Sequence, residues 1–566
     1  MKHNFTDMKK SLKLVFLLLF SLPIILFAND IKFTKLPVLK NINTVAETVD
    51  LEFSISWDNS WRCDIAGVGN AEPYNYDAAW VFIKFKSTDN LWKHGTMRLA
   101  GHTVPVGAAV SIPSDRKGAF LFRSENGSGT NNWQDVALRW DYGFDSVTDF
   151  TDIEIRVFAI EMVYIPQGSF YLGNDGSTAE VRKQFHRIMT DGTFTTPYLV
   201  NNEDVITLGG SGAAADGNLG NHNNSNSTHG NLDDFDSSTT QTLPAAYPKG
   251  YNAFYIMKNE ITQKQYVDFL NTLTRTQQNR RTFTDVSGSS ITNVYVMTNT
   301  TTVRISGAGE SYRNGIRVHT DGIGTTERLF FYCDVNGNGI ANEADDGQHL
   351  PCNFLGANAT TIYTDLQAYL YWAGLRPMTE LEFEKAARGA GQPAGLDIWA
   401  GGGLYTDAIR VANPINNQGN VNRINEYIIN PSNANAAFML PTFIANGPYR
   451  SGIFATSSSN RLTSGASYYG VMELSGNLVE MAVSVSNGTS MASRSYTGMH
   501  GSGNLNATGD PNTVAGNWPI RIGFRGGAFN LNVRSIRISE RQDINNLRNF
   551  RLDSWQNGGR GVRTAP

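Results

Sequence analysis

Two carboxylates, Glu473 and Glu480, lie seven residues apart in the aromatic-led stretch YYGVMELSGNLVEM. On an uninterrupted helix they would share a face, where two carboxyl groups could act as an acid/base pair. The Ser-Gly-Asn break between them predicts a turn instead, because Gly and Asn favour turns. An acid/base pair acting on a sugar would also need a cleft and one raised pKa, which the adjoining sequence does not indicate. A metal site and two purely structural charges remain open.

A second oxygen-rich segment reads DVNGNGIANEAD and spans residues 334–345. Oxygen atoms fall at the ligand positions of an EF-hand loop, which here are Asp334, Asn336, Asn338, the Ile340 carbonyl, Asn342 and Asp345. Gly339 permits the tight curvature that a calcium loop needs, and the final Asp is closer to the dockerin version. The preceding ERLFFYC reads as a strand rather than a helix. The alternative is therefore a loop rich in Asx turns that holds no ion.

The chain has three cysteines, Cys63, Cys333 and Cys352. In an oxidising compartment Cys333 and Cys352 are the expected disulfide partners, because they bracket one short loop. Cys63 would then be a lone, buried thiol. The disulfide and the calcium loop would hold the same insertion, residues 330–353.

Composition limits the protein class. With 566 residues the chain is too long for one ordinary domain, and 40% hydrophobic residues supply ample core material. The 55 glycines and 11% aromatic residues favour a strand-rich protein with many loops. A net charge of −4 gives no electrostatic reason to expect nucleic acid or an anionic membrane as partner.

The first 28 residues have the layout of a secretory signal peptide. Lys9, Lys10 and Lys13 precede the apolar run LVFLLLFSLPIILFA, which ends at Ala28. A retained membrane anchor is the alternative, although the run is short for a span and no later segment reaches span length. We therefore expect an exported protein that is periplasmic, secreted or bound to the cell surface, with no membrane span after signal removal.

Residues 30–160 show period-two alternation of apolar and polar side chains, as in DLEFSISW. Several such strands separated by turn residues predict a β-sandwich of immunoglobulin-like size, with a structural or adhesive role. The stretch 202–240 is polar and of low complexity, so it is predicted to be a surface insertion. Its His222 and His229 are expected to be solvated, and metal binding is the alternative.

Two helices carry capping signals. EITQKQYVDFLNTL offers Thr262 with Gln265 three residues later, and RPMTELEFEKAARG offers Thr379 with Glu382. Glu384 and Arg388 are four residues apart and are expected to pair on an exposed face. These carboxylates are interpreted as helix-stabilising groups.

The second part of the chain resembles the formylglycine-generating enzyme (sulfatase-modifying factor) family. The matching segments occur in the family's order: EMVYIPQGSFYLGN, FYIMKNEITQKQYVDFL, YWAGLRPMTELEFEKAARG, YYGVMELSGNLVEM, GFRGGAF and GGRGVRTAP. The resemblance covers residues 161–566. It implies an α+β fold related to C-type lectins, with little regular secondary structure and loops held by calcium. The expected fold class is this domain preceded by the all-β sandwich.

The resemblance also indicates what is missing. Active members of the family bind copper through two cysteines, and these positions fall here on Leu531 and Ile536. Copper(I) requires soft thiolate ligands, which Leu and Ile lack. The serine of the usual RGGS is replaced by Ala528. The copper-dependent oxidase activity is therefore not expected, and no copper is expected.

Calcium ligands can be carried over from the family residue by residue. In YYGVMELSGNLVEM, Glu473 and Glu480 would supply side chains, and Gly476 and Leu478 would supply backbone carbonyls. The family more often has Asp or Asn where Glu473 stands. Asn413 matches a side-chain ligand of a second family calcium site, whose other ligands fall in a divergent region.

These features predict a calcium-stabilised binding or structural module. The candidate cleft comprises His500, Arg525, Arg534, Arg537 and Arg541, together with the loop 488–516. Its arginines could grip an acidic partner, an exported protein or a glycan. The alternative for some of them is pairing with internal carboxylates. The alternative function is an enzyme with repurposed chemistry in the same cleft, such as non-haem iron chemistry.

Overall fold

The structure is a computed structural model that describes residues 31–63, 73–86, 89–148, 150, 153–175, 184–191, 195–221, 240–288, 291–298, 312–319, 324–341, 343, 346–357, 363–391, 398–404, 408–410, 434–439, 447–486, 493–513, 517–520, 522–544 and 555–566. The predicted signal peptide lies outside these residues. Five residues considered above as possible site residues also lie outside the described part, namely His222, His229, Asn342, Asp345 and Asn413.

The first part of the chain consists of strands. They are β1 (Lys32–Asn43), β2 (Thr48–Cys63), β3 (Asn75–Lys86), β4 (Trp92–His94), β5 (Ala108–Ser111), β6 (Ala119–Arg123), β7 (Gly127–Trp140) and β8 (Glu154–Ile165). In β2, Leu51, Phe53, Ile55 and Trp57 are at most 1% exposed and pack in one core, which confirms the strand predicted for DLEFSISW.

The rest of the chain has short strands and short helices. The strands are β9 (Phe170–Leu172), β10 (Phe185–Arg187), β11 (Tyr198–Val200), β12 (Ile206–Leu208), β13 (Leu219–Asn221), β14 (Gln241–Leu243), β15 (Phe254–Met257), β16 (Ile316–Val318), β17 (Phe331–Cys333), β18 (Arg376–Pro377), β19 (Ile409–Arg410), β20 (Asn435–Ala436), β21 (Glu480–Ala482), β22 (Gly523–Arg525) and β23 (Gly561–Thr564). The α-helices are α1 (Gln263–Leu270), α2 (Arg275–Arg281), α3 (Asp365–Trp372), α4 (Glu380–Arg388) and α5 (Arg461–Ser464). Short 3₁₀ turns cover Ala213–Ala215, Ser493–Ser495 and Val533–Ile536. This β-rich α+β composition agrees with the predicted class, and the relation to C-type lectins stays a prediction.

One antiparallel sheet joins the two parts of the chain. Its main path runs β1-β2-β3-β8-β15-β23-β18, with β4 and β6 attached to β3, β5 to β6, and β7 to β2. A smaller sheet has the order β10-β13-β12-β14, and the pairs β9–β11, β16–β17, β19–β20 and β21–β22 stand apart from it.

Strand β3 lies between two hydrophobic cores. Trp80 and Phe82 face the main core, which also contains side chains of α1 and α3. Val81 and Ile83, on the other face, pack in a second core with β2, β6 and β7. Because successive side chains of a strand point to opposite faces, one strand contributes to both cores.

The β-sandwich predicted for residues 30–160 stays a prediction, and its strands are not separate from the rest of the sheet. The boundary expected at residue 160 falls inside β8, which pairs with β3 along one edge and with β15 along the other. Alternation along a strand predicts which side chains are buried, but it does not predict which neighbour covers them. The N-terminal strands and the following region share one sheet.

The predicted helix caps are present. Thr262 with Gln265 and Thr379 with Glu382 both form capping boxes. Glu384 and Arg388 pair as expected, with Oε2 and Nη1 2.9 Å apart, but both side chains are buried rather than exposed. The expectation of an exposed face was wrong because α4 is covered on all sides.

The insertion expected at 202–240 is partly folded. Strands β12 and β13 lie in it and join the smaller sheet. Ile206, Leu208 and Leu219 are buried in the main core. The rest of the protein therefore supplies the apolar contacts that this polar segment could not make by itself. Residues 222–239 lie outside the described part.

None of the described helices has the length and apolarity that crossing a bilayer requires.

Candidate functional site

The GFRGGAF segment places a tight turn after β22. Gly526 and Gly527 have φ angles of 81° and 72°. A Cβ on Gly526 would lie 2.6 Å from the carbonyl oxygen of Leu474, so this backbone approach requires glycine. Beside the turn, Leu531 helps to line a pocket of only about 20 Å³. A pocket of that size holds about one water molecule.

The arginines expected in this cleft form a buried ion-pair network. Arg525 donates from Nη1 to Glu380 Oε2 at 2.9 Å and from Nη2 to Glu384 Oε1 at 2.7 Å. Arg541 donates from Nε and Nη2 to the two oxygens of Glu380 at 2.6 and 2.9 Å. Glu384 also accepts from Arg388. All of these side chains are fully buried or nearly so, and the nearby guanidiniums hold the pKa of Glu380 below its usual value against the effect of burial.

The other members of the predicted cleft are held in a similar way. Arg537 is buried and pairs with Glu540. His500 is half-buried, and its Nε2 accepts a hydrogen bond from the Thr564 backbone at 3.0 Å. Burial and two nearby arginines lower its pKa well below the usual value, so the ring is neutral. Only Arg534 of this set is exposed. The structure supports the alternative in which Arg525, Arg537 and Arg541 pair internally, so they are not proposed to grip an external partner.

The positions matched in the sequence analysis to the family's copper ligands are apolar and packed. Ile536 and Ala528 are fully buried, and Leu531 packs against the main core. None of the three cysteine thiols lines the small pocket beside Leu531. The described residues around the turn therefore present no thiolate to a metal.

Glu473 and Glu480 are brought together in a buried cluster. Glu480 Oε1 accepts from Nε of Arg560 at 2.6 Å, and Glu473 Oε1 accepts from the Gly452 backbone at 2.8 Å. The second oxygen of each, Oε2, is buried and has no hydrogen-bond partner among the described residues. Burial raises the pKa of Glu473 to about 7, although Arg560 acts in the opposite direction.

A third carboxylate, Glu260, completes this cluster and was missed by the sequence analysis. It accepts from Asn477 Nδ2 at 2.7 Å and from the Leu478 backbone at 2.9 Å, so it fixes the turn of the loop. Burial, and then the nearby Glu480, raises the pKa of Glu260 well above its usual value. The sequence does contain a feature that could have identified it, because Glu260 is the one acid within the apolar family segment FYIMKNEI.

The fit to calcium at this loop is partial. Two buried carboxylate oxygens without partners are suitable donors for a hard cation. Arg560 already supplies one positive charge to Glu480, however. Among the described residues no group of three or more His, Cys, Asp or Glu side chains converges as a metal site. Calcium here stays a prediction.

The segment 334–345 follows a strand, β17, as its sequence predicted. Asn336 Oδ1 accepts from the Asn338 backbone at 2.9 Å, and Asn338 Oδ1 accepts from the Ile340 backbone at 2.8 Å, so both asparagines form Asx turns. Asp334 is fully buried and pairs with Arg317. Glu343, which the loop numbering passed over, accepts from both asparagine amides. Both a calcium loop and an Asx-turn loop remain compatible with these contacts.

The predicted disulfide is not present. Cys333 and Cys352 are both free and buried in the main core. Burial raises the pKa of both thiols, and proximity to Cys333 contributes to the rise at Cys352. The two thiols lie near each other in this core, where a free cysteine packs as a small apolar residue. Cys63, expected to be buried, is half-exposed at the end of β2.

A larger pocket lies elsewhere, where the N-terminal strands meet the region after Ala455. It has a volume of about 510 Å³, and its lining includes Trp61, Lys258, Arg461 and Tyr468. We call it the junction pocket. Sequence reasoning did not identify it, because its walls come from segments that are hundreds of residues apart.

Comparison with known proteins bears on the region that begins at β8. The family model of the sulfatase-modifying factor enzyme 1-like domain (FGE-sulfatase) matches residues 154–549, so the match starts at the first residue of β8. No curated protein with a significant match to the chain was found. The family match covers more than half of the chain and includes the RGG turn, the Arg525 network and the carboxylates Glu260, Glu473 and Glu480. The chain therefore belongs to the family of sulfatase-modifying factor enzyme 1-like domains.

Proposed function

We propose that this protein is an exported binding or structural member of the family that does not carry out copper-dependent formylglycine formation. The observation that carries the proposal is the chemistry of the packed turn after β22. Leu531 and Ile536 offer no donor atom, and Ile536 is fully buried. The pocket beside them, about 20 Å³, has no room for a peptide side chain.

The neighbouring charges agree with a structural use of this region. Arg525 and Arg541 point to Glu380 and Glu384 rather than to an open cleft. A catalytic site would need polar groups directed at a substrate, whereas these are satisfied by each other.

We further propose that calcium stabilises the loop around Gly476. The two unpartnered carboxylate oxygens of Glu473 and Glu480 would hold the ion, with the carbonyls of Gly476 and Leu478 completing the set. Calcium would supply positive charge to a buried, acid-rich cluster and no redox chemistry.

The test is a metal and activity assay on the purified full-length protein. After incubation with copper(I), we expect no stoichiometric copper by elemental analysis. We also expect no aldehyde formation on a cysteine-containing sulfatase peptide. A member of the family that has both cysteines serves as the positive control. Stoichiometric copper or iron, or aldehyde formation, would contradict the proposal and favour the enzymatic alternative.

Export has its own test. We expect the mature protein recovered from outside the cytoplasm to begin at Asn29, as determined by mass spectrometry of the N-terminal peptide. An intact N-terminus on the membrane fraction would instead support a retained anchor.

A further inference from the structure

The junction pocket is open, of ligand size and chemically mixed. Its volume of about 510 Å³ lies in the range of small-molecule sites. Trp61 and Tyr468 line it together with Asn59 and Asn460, whose side-chain oxygen also caps α5. Apolar rings beside hydrogen-bonding side chains suit a ligand that has both a flat apolar face and hydroxyl groups.

Arg461 gives the pocket its charge. Its Nε and Nη2 donate to the Ala400 carbonyl at 3.2 and 2.9 Å, and Nη2 also donates to the Ala387 carbonyl at 3.4 Å. The guanidinium lies 5.5 Å from the centre of the Tyr468 ring. These contacts fix its orientation, while Nη1 donates no hydrogen bond among the described residues.

Arg461 is half-buried, and its hydrogen bonds go to backbone carbonyls, so no carboxylate of the described residues pairs with it. Burial lowers its pKa to about 10. The other lining charges differ in this respect. Lys258 Nζ lies 2.5 Å from Glu161 Oε1, and Asp58 accepts from the Thr130 hydroxyl at 2.6 Å. An anion entering the pocket would compensate Arg461 first.

We propose that the junction pocket binds a small acidic sugar, with the carboxylate at Arg461 Nη1 and the sugar ring against Tyr468 and Trp61. The ring hydroxyls would meet Asn59 and Asn460. The Asn59 amide has no hydrogen-bond partner among the described residues and is exposed at the pocket. This site is separate from the RGG turn, so the proposal does not depend on the proposed loss of oxidase activity.

Three probes separate the parts of the proposal in calorimetric titrations of the full-length protein. Glucuronate carries the ring and the carboxylate, glucose carries the ring alone, and inorganic sulfate carries charge alone. We expect glucuronate to bind at least about tenfold more tightly than either of the others, because only it uses both features. Equal binding of glucose would overturn the role of Arg461, and equal binding of sulfate would overturn the role of the ring. No binding of glucuronate would overturn the proposal.

Cys63 provides a readout that needs no substitution. It lines the junction pocket and is half-exposed, whereas Cys333 and Cys352 are buried. Saturating glucuronate should slow the reaction of Cys63 with an alkylating reagent several-fold, and glucose at the same concentration should not. Unchanged labelling at saturation would place the ligand elsewhere and contradict the proposal.

Variants assign the contacts. Arg461→Gln should weaken glucuronate binding by about tenfold or more and leave glucose binding unchanged. Asn59→Gly removes a partnerless amide at a position with φ of 57°, which glycine tolerates, so it tests the pocket without risk to folding. We expect it to weaken glucuronate binding about threefold or more. Arg187→Gln is the matched control, because Arg187 is a half-exposed arginine of the family domain that lies outside the junction pocket, and it should change nothing. Full binding by both Arg461→Gln and Asn59→Gly would overturn the site.

Discussion

Arg541 and Arg461 are both arginines of the family domain, yet their partners differ. Arg541 is fully buried, and its guanidinium meets the two oxygens of Glu380. Arg461 meets only backbone carbonyls and a tyrosine ring, at the wall of a pocket. Removing the partner of a buried, fully paired charge is strongly destabilising, whereas a positioned charge without a counter-ion can serve a ligand. Residue type alone therefore does not separate structural arginines from binding arginines.

The largest expected loss of stability comes from removing the carboxylate that pairs with Arg541. Glu380→Gln leaves Arg525 and Arg541 buried without their shared carboxylate, which should cost about 3–5 kcal/mol of unfolding free energy. Urea unfolding measures it. Glu52→Gln, whose partners Lys35 and Lys40 are largely exposed, is the control and should cost about 1 kcal/mol or less. A small loss for Glu380→Gln would show that the network is compensated by other groups.

A pH dependence is expected from the charges behind the junction pocket. Burial, and then the nearby Glu161, raises the pKa of Asp77 from 3.8 to about 6 against the effect of Lys258. The folded state therefore binds this proton more tightly than the unfolded chain does. The resulting stabilisation is present below about pH 3.8 and is lost as the pH rises through about 6.

Asp77→Asn should remove this dependence. Between pH 4 and 7 the parent should lose up to about 3 kcal/mol more stability than the variant. Denaturant unfolding at both pH values measures the difference, with Asp135→Asn, an exposed carboxylate, as control. Parallel pH profiles for parent and Asp77→Asn would contradict the burial argument.

Calcium should stabilise the folded state by a similar or smaller amount. At a concentration one hundred times its dissociation constant, a bound ion stabilises the folded state by about 2.7 kcal/mol. We expect a calcium-dependent rise in the thermal midpoint that Glu473→Gln reduces at one loop and Asp334→Ala at the other. If both variants respond as the parent does, neither loop binds the ion.

The smallest expected loss of stability comes from replacing Arg461, the arginine without a carboxylate partner among the described residues. Arg461→Gln loses hydrogen bonds to two carbonyls but also removes an uncompensated charge, so we expect a cost of about 1 kcal/mol or less. Arg541→Gln is the matched variant and should cost several times more in the same urea titrations. Equal costs for the two variants would remove the distinction between them.

Several parts of the molecule were predictable from local sequence. The capping boxes at Thr262 and Thr379 and the strand at DLEFSISW form as expected, because the residues that predict them lie within a short stretch. The loop at Gly476 was predicted from its Ser-Gly-Asn break, and Asn477 indeed has a positive φ of 65°. The family segments also located the RGG turn.

The remaining features depend on contacts between distant segments. The arginine cluster was expected to face a ligand, but Glu380 and Glu384, about 140 residues earlier in the chain, occupy it. Glu260 joins Glu473 and Glu480 from more than 200 residues away. No periodicity or spacing rule reports which carboxylate meets which guanidinium.

The sequence by itself determined the family, the alternating strands, the helix caps and the replacement of the copper-ligand positions by Leu531 and Ile536, because these are properties of residue type and short spacing. The tertiary structure decided that the N-terminal strands join the family domain through β8, that Cys333 and Cys352 stay free, and that Arg461 rather than Arg525 faces a ligand-sized pocket. The physical reason is that burial and charge pairing are set by whichever distant groups the fold brings into contact.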